Sequence, residues 1–351
     1  HRSAVNTAVL LGLEPVWLWP EFGDGLGCRL AVENLDEKLK TNNDIRAVYI
    51  TSPDYTGRLA DVAGMAALCH GRGIPLLVDN AHGSHLGAFG LHPLMLGADM
   101  TADSWHKTLP VLTGGAVLHL SGGWRGQTEA PLLRRRAKTV MALFGSTSPS
   151  FPVLASIDQA QAWWRREGPD AYRTTAQRLS ALRRTAEAAG FLAPGGDGFD
   201  PARLTLGTVG LGLSGIRAAE AFRRCGCEPE HADARMVVFI VTPFNTEEDI
   251  RRLDKAIRRV PELCIRETDP EVFDPFGCGI PAKRMRLRQA ALMETDEIPS
   301  GEAAGRIAAR SICPCPPGIA AVVPGEEIGP ELARRLPGWG IPTVTVVRET
   351  G

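Results

Sequence analysis

Short apolar runs alternate with helical patterns through the first half of the chain. Ala47-Val48-Tyr49-Ile50-Thr51 predicts a strand that ends at Ser52-Pro53. Leu59, Val62, Ala66 and Cys69 then recur at helical spacing, and Gly71 and Gly73 close that helix. Residues 75–78 are continuously apolar, the pattern of a strand buried on both faces. Residues 98–104 predict a weaker strand, and residues 116–120 another, entered through Gly114-Gly115. Strand, helix and strand in this rhythm predict right-handed crossovers and an α/β fold with a mostly parallel sheet flanked by helices.

A basic helix is expected over residues 132–143, and long helices over 157–166 and 172–189. Pro194-Gly195-Gly196-Asp197-Gly198 punctuates the chain. It predicts a boundary between a major domain, residues 1–195, and a smaller α+β C-terminal domain, residues 196–351. In the latter, residues 203–209 and 235–241 predict strands and residues 214–225 a helix. Thr246 caps a further helix reaching about Val260, with Asp249 three residues on as an imperfect capping box.

Composition narrows the class. The 351 residues are 44% hydrophobic and 23% charged, ordinary for a globular chain and enough for a large domain plus a smaller one. Lys and Arg (39) nearly balance Asp and Glu (40), so charge gives no reason to expect nucleic acid or an anionic membrane as partner. No apolar run reaches the roughly 18–20 residues of a spanning helix. His1-Arg2-Ser3-Ala4-Val5-Asn6 lacks the charged and apolar regions of a signal peptide. A cytoplasmic protein is expected. The chain opens on His1 rather than Met, and a longer parent is expected. Cys225/Cys227 and Cys313/Cys315 have Cys-x-Cys spacing without the matching half of a zinc ribbon. The eight cysteines therefore read as reduced thiols, with no metal expected.

Three features carry chemistry. Asp79 ends the run Leu76-Leu77-Val78 and is followed by Asn80-Ala81-His82-Gly83. A carboxylate at the C-terminal end of a parallel strand stands where open α/β sheets bind ligands. Ser104-Trp105-His106-Lys107-Thr108 follows another strand end, with the lysine among an imidazole and hydroxyls. Gly114-Gly115 lets backbone approach a neighbour closely. Together these suit pyridoxal phosphate, which needs an amine for a Schiff base, an acidic partner for its ring nitrogen and polar groups for its phosphate. Two plainer readings stand beside it. Asp79 could cap the next turn. His82 and His85, spaced His-x-x-His, could hint at a metal, although the loop offers no clear third ligand. A nucleotide-driven helicase is excluded, since no Gly-x-x-x-x-Gly-Lys-Ser/Thr loop exists in the chain.

Nearly end to end, the chain resembles the pyridoxal-phosphate-dependent ornithine/lysine/arginine decarboxylase family, of the aspartate-aminotransferase fold and of its shorter bacterial type. His1-Arg2-Ser3 resembles the family's His-Lys-Ser, and Thr51-Ser52-Pro53-Asp54-Tyr55-Thr56-Gly57 its Ser-Pro-x-Tyr-x-Gly. Asp79-Asn80-Ala81-His82-Gly83-Ser84-His85 resembles Asp-x-Ala-His-Gly-x-His, and Ser104-Trp105-His106-Lys107 the more specific Ser-x-His-Lys. Thr147-Ser148-Pro149-Ser150-Phe151 and Pro314-Cys315-Pro316-Pro317-Gly318-Ile319, then Pro324-Gly325-Glu326, follow in family order. Two aromatic positions of these motifs differ, at Phe151 and Cys315.

The resemblance implies a fold-type I pyridoxal-phosphate enzyme, with Lys107 as the Schiff-base lysine and Asp79 at the pyridine nitrogen. His1 would stack on the ring, and His82 would lie near its ring oxygen or the substrate carboxylate. Ser104 and His106 would hold the phosphate. Thr147 and Ser148 would reach the phosphate of a neighbouring subunit, making a homodimer or higher homo-oligomer with a shared site. Glu230 would face the distal amine of the substrate. Lys107, His82 and His106 are the expected catalytic groups, and the expected reaction is decarboxylation of lysine, arginine or ornithine to a polyamine precursor. The family's phosphate loop precedes the His-Lys-Ser motif, so the resemblance also implies a chain truncated at its N-terminus. A transaminase or lyase on the same fold, and a pseudo-enzyme without activity, are the competing expectations.

Overall fold

The computed structural model describes residues 1–21, 26, 28–122, 130–264, 278–313 and 320–349. The chain divides into two compact units, His1–Trp17 with Glu271–Gly351 and Leu18–Pro270. In the first, His1 caps helix α1 (Arg2–Leu11), its side chain accepting from the Ser3 N–H. The helix stops where Gly12 turns left-handed at φ 67°.

The second unit starts with α2 (Val32–Thr41), β1 (Val48–Thr51), α3 (Val62–Gly71), β2 (Leu76–Asp79), β3 (Met100–Asp103), a single turn α4 (Trp105–Thr108) and β4 (Val117–Leu120). The sheet order is β1-β2-β3-β4. The first three strands are parallel, and β4 returns antiparallel to β3. The return has a physical reason: α4 is one turn long and cannot carry the chain back along the sheet as a crossover helix does. Leu35 and Leu39 of α2 and Met65, Ala66 and Cys69 of α3 pack on Val48, Ile50, Leu76 and Val78. The register sets Thr51 level with Asp79 and Asp79 level with Ala102. The loops leaving β1, β2 and β3 therefore emerge along one edge of the sheet.

Beyond it come α5 (Ala130–Phe144), α6 (Phe151–Arg166), α7 (Gly168–Ala188), β5 (Arg203–Gly207), α8 (Gly215–Arg224), β6 (His231–Ala232), β7 (Met236–Ile240) and α9 (Glu247–Leu263). The second sheet is antiparallel, in order β5-β7-β6. Leu179 and Leu182 of α7, Leu204 and Leu206 of β5, Val237 and Phe239 of β7, Phe222 of α8 and Ile257 of α9 form one core. Residues on both sides of position 195 share that core. The glycine-rich turn is stitched to the loop after β1: the Leu59 N–H donates to Gly198 O at 2.8 Å, and Asp200 N–H to Gly57 O at 2.7 Å. The α9 capping box is complete, with Thr246 and Asp249 each accepting the other's backbone N–H.

The first unit resumes with α10 (Leu287–Leu292), β8 (Thr295–Pro299), α11 (Pro330–Arg335) and β9 (Thr343–Val347), the two strands antiparallel. Ala308, Val322, Ile328, Leu332, Leu336 and Val346 form its core. The segment Pro314-Cys315-Pro316-Pro317-Gly318-Ile319 lies outside the described residues. Among the described residues, no helix is long and apolar enough to cross a membrane.

Gly83, in the loop after β2, is held by space. A Cβ there would stand 2.1 Å from Asn80 Oδ1, 2.6 Å from Pro53 Cδ and 2.7 Å from Leu86 Cδ1. Gly83→Ala is expected to cost about 1–3 kcal/mol by overpacking, read as a lower urea midpoint. An unchanged midpoint would contradict this packing.

Candidate active site

The edge formed by the ends of β1, β2 and β3 gathers the polar side chains that an apolar sheet cannot bury elsewhere. Asp79, half-buried, ends β2. Its Oδ2 accepts from the Tyr49 hydroxyl of β1 at 2.9 Å and its Oδ1 from the Ala81 N–H at 3.1 Å. Asp79 thus does cap the following turn, and it also carries a tyrosine. Burial and the nearby carboxylate raise the Tyr49 hydroxyl far above its usual range, so it stays a donor. Asn80, fully buried, donates to Asp103 Oδ2 at 2.8 Å, and His92 Nε2 shares that oxygen at 3.0 Å. These bonds fix the ends of β2 and β3 relative to each other.

Lys107 lies on α4, and its Nζ is 3.0 Å from Nε2 of His82. The other ring nitrogen of His82, Nδ1, is 3.3 Å from an Nη of Arg203 at the start of β5. His82 is buried, with basic side chains on two sides. Burial first, then Arg203 and Lys107, push its imidazole down to about 2. The ring is therefore neutral at working pH.

A second buried row supports the first. Asp200 is fully buried and accepts from His85 Nε2 at 2.8 Å and from the Ala202 N–H at 2.8 Å, with Arg203 Nε at 4.0 Å. Burial alone would raise this carboxyl, but His85, Arg203 and the amide reverse that and hold it below its usual range. His85 stacks on Tyr172 of α7 at 4.8 Å between ring centroids. The Tyr172 hydroxyl donates to Thr108 O, next to Lys107. His82 and His85 thus take separate partners and do not converge on a point where a metal could sit.

Of the residues read from sequence, His82 and Lys107 meet directly, and Asp79, Ser104 and His106 stand at the neighbouring strand ends. Ser104 is the N-cap position of α4. His106 binds Gly115 O through Nδ1 at 2.8 Å, which leaves Nε2 as its outward nitrogen. Thr147 and Ser148 are exposed, just ahead of α6. Glu230 is exposed, and its Oε1 accepts from the Tyr55 hydroxyl at 2.7 Å. Tyr55 in turn sets its ring edge-on to His82 at 4.9 Å. His1 belongs to the other compact unit.

Arg203, Asp200, Tyr172 and Tyr49 were not singled out by sequence reasoning. Asp200 and Arg203 flank the start of an apolar strand, and charges there are too common to mark a site. Tyr49 stands out as the polar-tipped member of β1, which was the available signal.

A family model described as Orn/Lys/Arg decarboxylase, major domain, matches residues 1–194, and one described as Orn/Lys/Arg decarboxylase, C-terminal domain, matches residues 281–336. The chain belongs to the Orn/Lys/Arg decarboxylase family. It is 30% identical over 347 residues to an arginine decarboxylase of Halalkalibacterium halodurans, covering 93% of this chain and 69% of the relative. It is 29% identical over 350 residues to an arginine decarboxylase of Bacillus subtilis, covering 94% and 69%. Among solved structures, the constitutive lysine decarboxylase of E. coli superposes with a TM-score of 0.75 at 17% identity, over 99% of this chain and 66% of that one. The lysine decarboxylase of Francisella novicida gives 0.73 at 17% identity, over 99% and 65%. The chain thus spans just under two thirds of those solved chains. At such identity the likeness concerns the fold, which is that of the fold-type I pyridoxal-phosphate enzymes.

The neutral His82 has a consequence for acid stability. Around it stand Arg203, Lys107, Asp200 and His85. In the unfolded chain a histidine takes up its proton near pH 6.5, roughly, whereas the folded one waits until about 2. Between those values the unfolded state binds more protons, so stability falls as pH is lowered. Urea midpoints should therefore drop between pH 7 and pH 5, and His82→Gln should drop less steeply over that interval. Equal slopes in the two proteins would contradict a neutral buried His82.

Proposed function

We propose that the chain decarboxylates a basic amino acid, lysine, ornithine or arginine, to a diamine or agmatine, with pyridoxal phosphate bound at Lys107. The observation that carries this reading is the Lys107–His82 contact of 3.0 Å at the strand ends that also present Asp79, in a chain of a decarboxylase family. The donor set fits the cofactor: an amine, an imidazole beside it, a carboxylate braced by a tyrosine, and a hydroxyl and imidazole at Ser104 and His106. Lys107, Asp79, His82, Ser104 and His106 would hold it. Thr147 and Ser148 of the partner subunit would reach its phosphate. Exposed Leu143, Phe144 and Phe151, each about three-quarters accessible, flank that Thr-Ser segment and support a homodimer that covers them.

When bound, pyridoxal phosphate supplies an aldehyde that condenses with amines and a protonated ring that takes up the electron pair left as carbon dioxide departs. The chain does the rest. Lys107 supplies the resident amine. Asp79, oriented by Tyr49, keeps a proton at the ring nitrogen. Neutral His82 can donate one hydrogen bond and accept another beside the amine. Lys107 or His106 returns a proton to the substrate Cα. Glu230, tied through Tyr55 to His82, offers a carboxylate to the distal cation of the substrate. Cys69 and Cys227, buried thiols, suit the reducing cytoplasm in which we place the reaction.

The test is release of carbon dioxide and amine from lysine, ornithine and arginine by the full protein with added cofactor. One of the three is expected to react. Lys107→Ala should abolish turnover, and Asp79→Asn should lower it on the order of 10²–10³-fold, as loss of a preorganised electrostatic partner does. A keto acid as product would indicate transamination instead. No carbon dioxide from any of the three, by folded and cofactor-loaded protein, would overturn the proposal.

A further inference from the structure

Arg203 is buried to 3% accessibility, yet its Nε and Nη1 have no hydrogen-bond partner among the described residues. Its nearest carboxylate oxygen, Asp200 Oδ2, is 4.0 Å away and also lacks a hydrogen-bond partner among the described residues. A guanidinium placed for stability alone would close a forked pair with that carboxylate. Instead Arg203 spends its Nη2 on Nδ1 of His82, 121 residues away in sequence, at 3.3 Å. Its stem is fixed there by the loop after β1: a Cβ on Gly57 would stand 2.6 Å from Arg203 Cγ.

We infer that Arg203 is a positioning residue that fixes the tautomer of His82, with the proton on Nε2 facing Lys107 Nζ. The inference rests on the reading of Lys107 and His82 given above. A guanidinium donates and cannot accept. The ring nitrogen it faces must therefore be the unprotonated one, since an N–H there would oppose an N–H. A neutral imidazole then carries its hydrogen on Nε2. An ammonium at Nζ has no lone pair to receive that hydrogen, whereas an unprotonated amine does. Arg203, acting through His82, thus favours the amine form of Lys107, which is the nucleophilic form. Asp200 lies beside Arg203 and is itself held by His85, which rests on Tyr172.

The readout is independent of catalysis: ¹⁵N spectra of histidine-labelled full protein without cofactor, with His82 assigned by His82→Gln. The wild type should show a pyrrole-type Nε2 and a pyridine-type Nδ1. Arg203→Lys, which keeps a donor and a charge, should preserve that pattern. Arg203→Met should lose it, with the two resonances moving toward each other. The rate at which the cofactor absorbance band forms on Arg203→Met should fall about 10- to 100-fold, the size of effect that a metal-bound histidine shows when its orienting partner is removed. A wild-type Nδ1–H tautomer overturns the inference, and this outcome stands even if Arg203→Met fails to fold. A folded Arg203→Met with the wild-type pattern also overturns it, since a merely structural Arg203 would change stability and leave the tautomer alone. Failure of the proposed function would appear separately, as a wild type that forms no cofactor band whatever its His82 spectrum.

Discussion

A neutral imidazole held between a guanidinium and a lysine amine is the constraint around which the rest of the site is arranged. His82 faces Arg203 on one ring nitrogen and Lys107 on the other. Each contact is tolerable because the ring carries no charge, and burial keeps it so. The cost of burying Arg203 is offset by Asp200, which in turn needs His85 and the Ala202 amide. Removing any one of these leaves a buried charge or a buried polar atom without its counterpart, a loss of several kcal/mol, roughly, in other proteins. The network therefore connects a first-sheet loop, a second-sheet strand and the turn that carries the lysine.

The fold supplies the precision this arrangement needs. Parallel strands set three loops along one edge, and Asn80 bonded to Asp103 ties the ends of β2 and β3. Thr205 Oγ1 donates to Thr56 O at 2.6 Å, which ties β5 to the loop after β1. Tyr172 reaches from α7 to the backbone beside Lys107. The amine is thereby fixed from one side by a helix and from the other by a strand of a second sheet, elements more rigid than loops.

Much of this was legible in the chain before any coordinates. Strands β1, β2 and β3 fall within two residues of the apolar runs that predict them, because buried parallel strands have to be continuous. Asp79, His82 and Lys107 sit in short local motifs and could be read as chemistry. The partners of His82 could not. Arg203 and Asp200 meet the site through pairing across more than a hundred residues, and at their own positions they resemble any charged entrance to a strand. The glycine-rich stretch near 195 was legible as punctuation, but its bonds to the loop after β1, by which Leu59 and Asp200 pin it as a turn in the site, were not. The antiparallel return of β4 was hidden as well, since local pattern gives strand existence and not direction.

Lys107, beside a neutral His82, is the amine proposed to receive the cofactor. The most direct measurement is the visible absorbance of the full protein with pyridoxal phosphate, followed by borohydride reduction and peptide mapping. A band that disappears on reduction and a single labelled peptide with the cofactor on Lys107 are expected. Labelling at another lysine, or no band from protein shown to be folded, would contradict it.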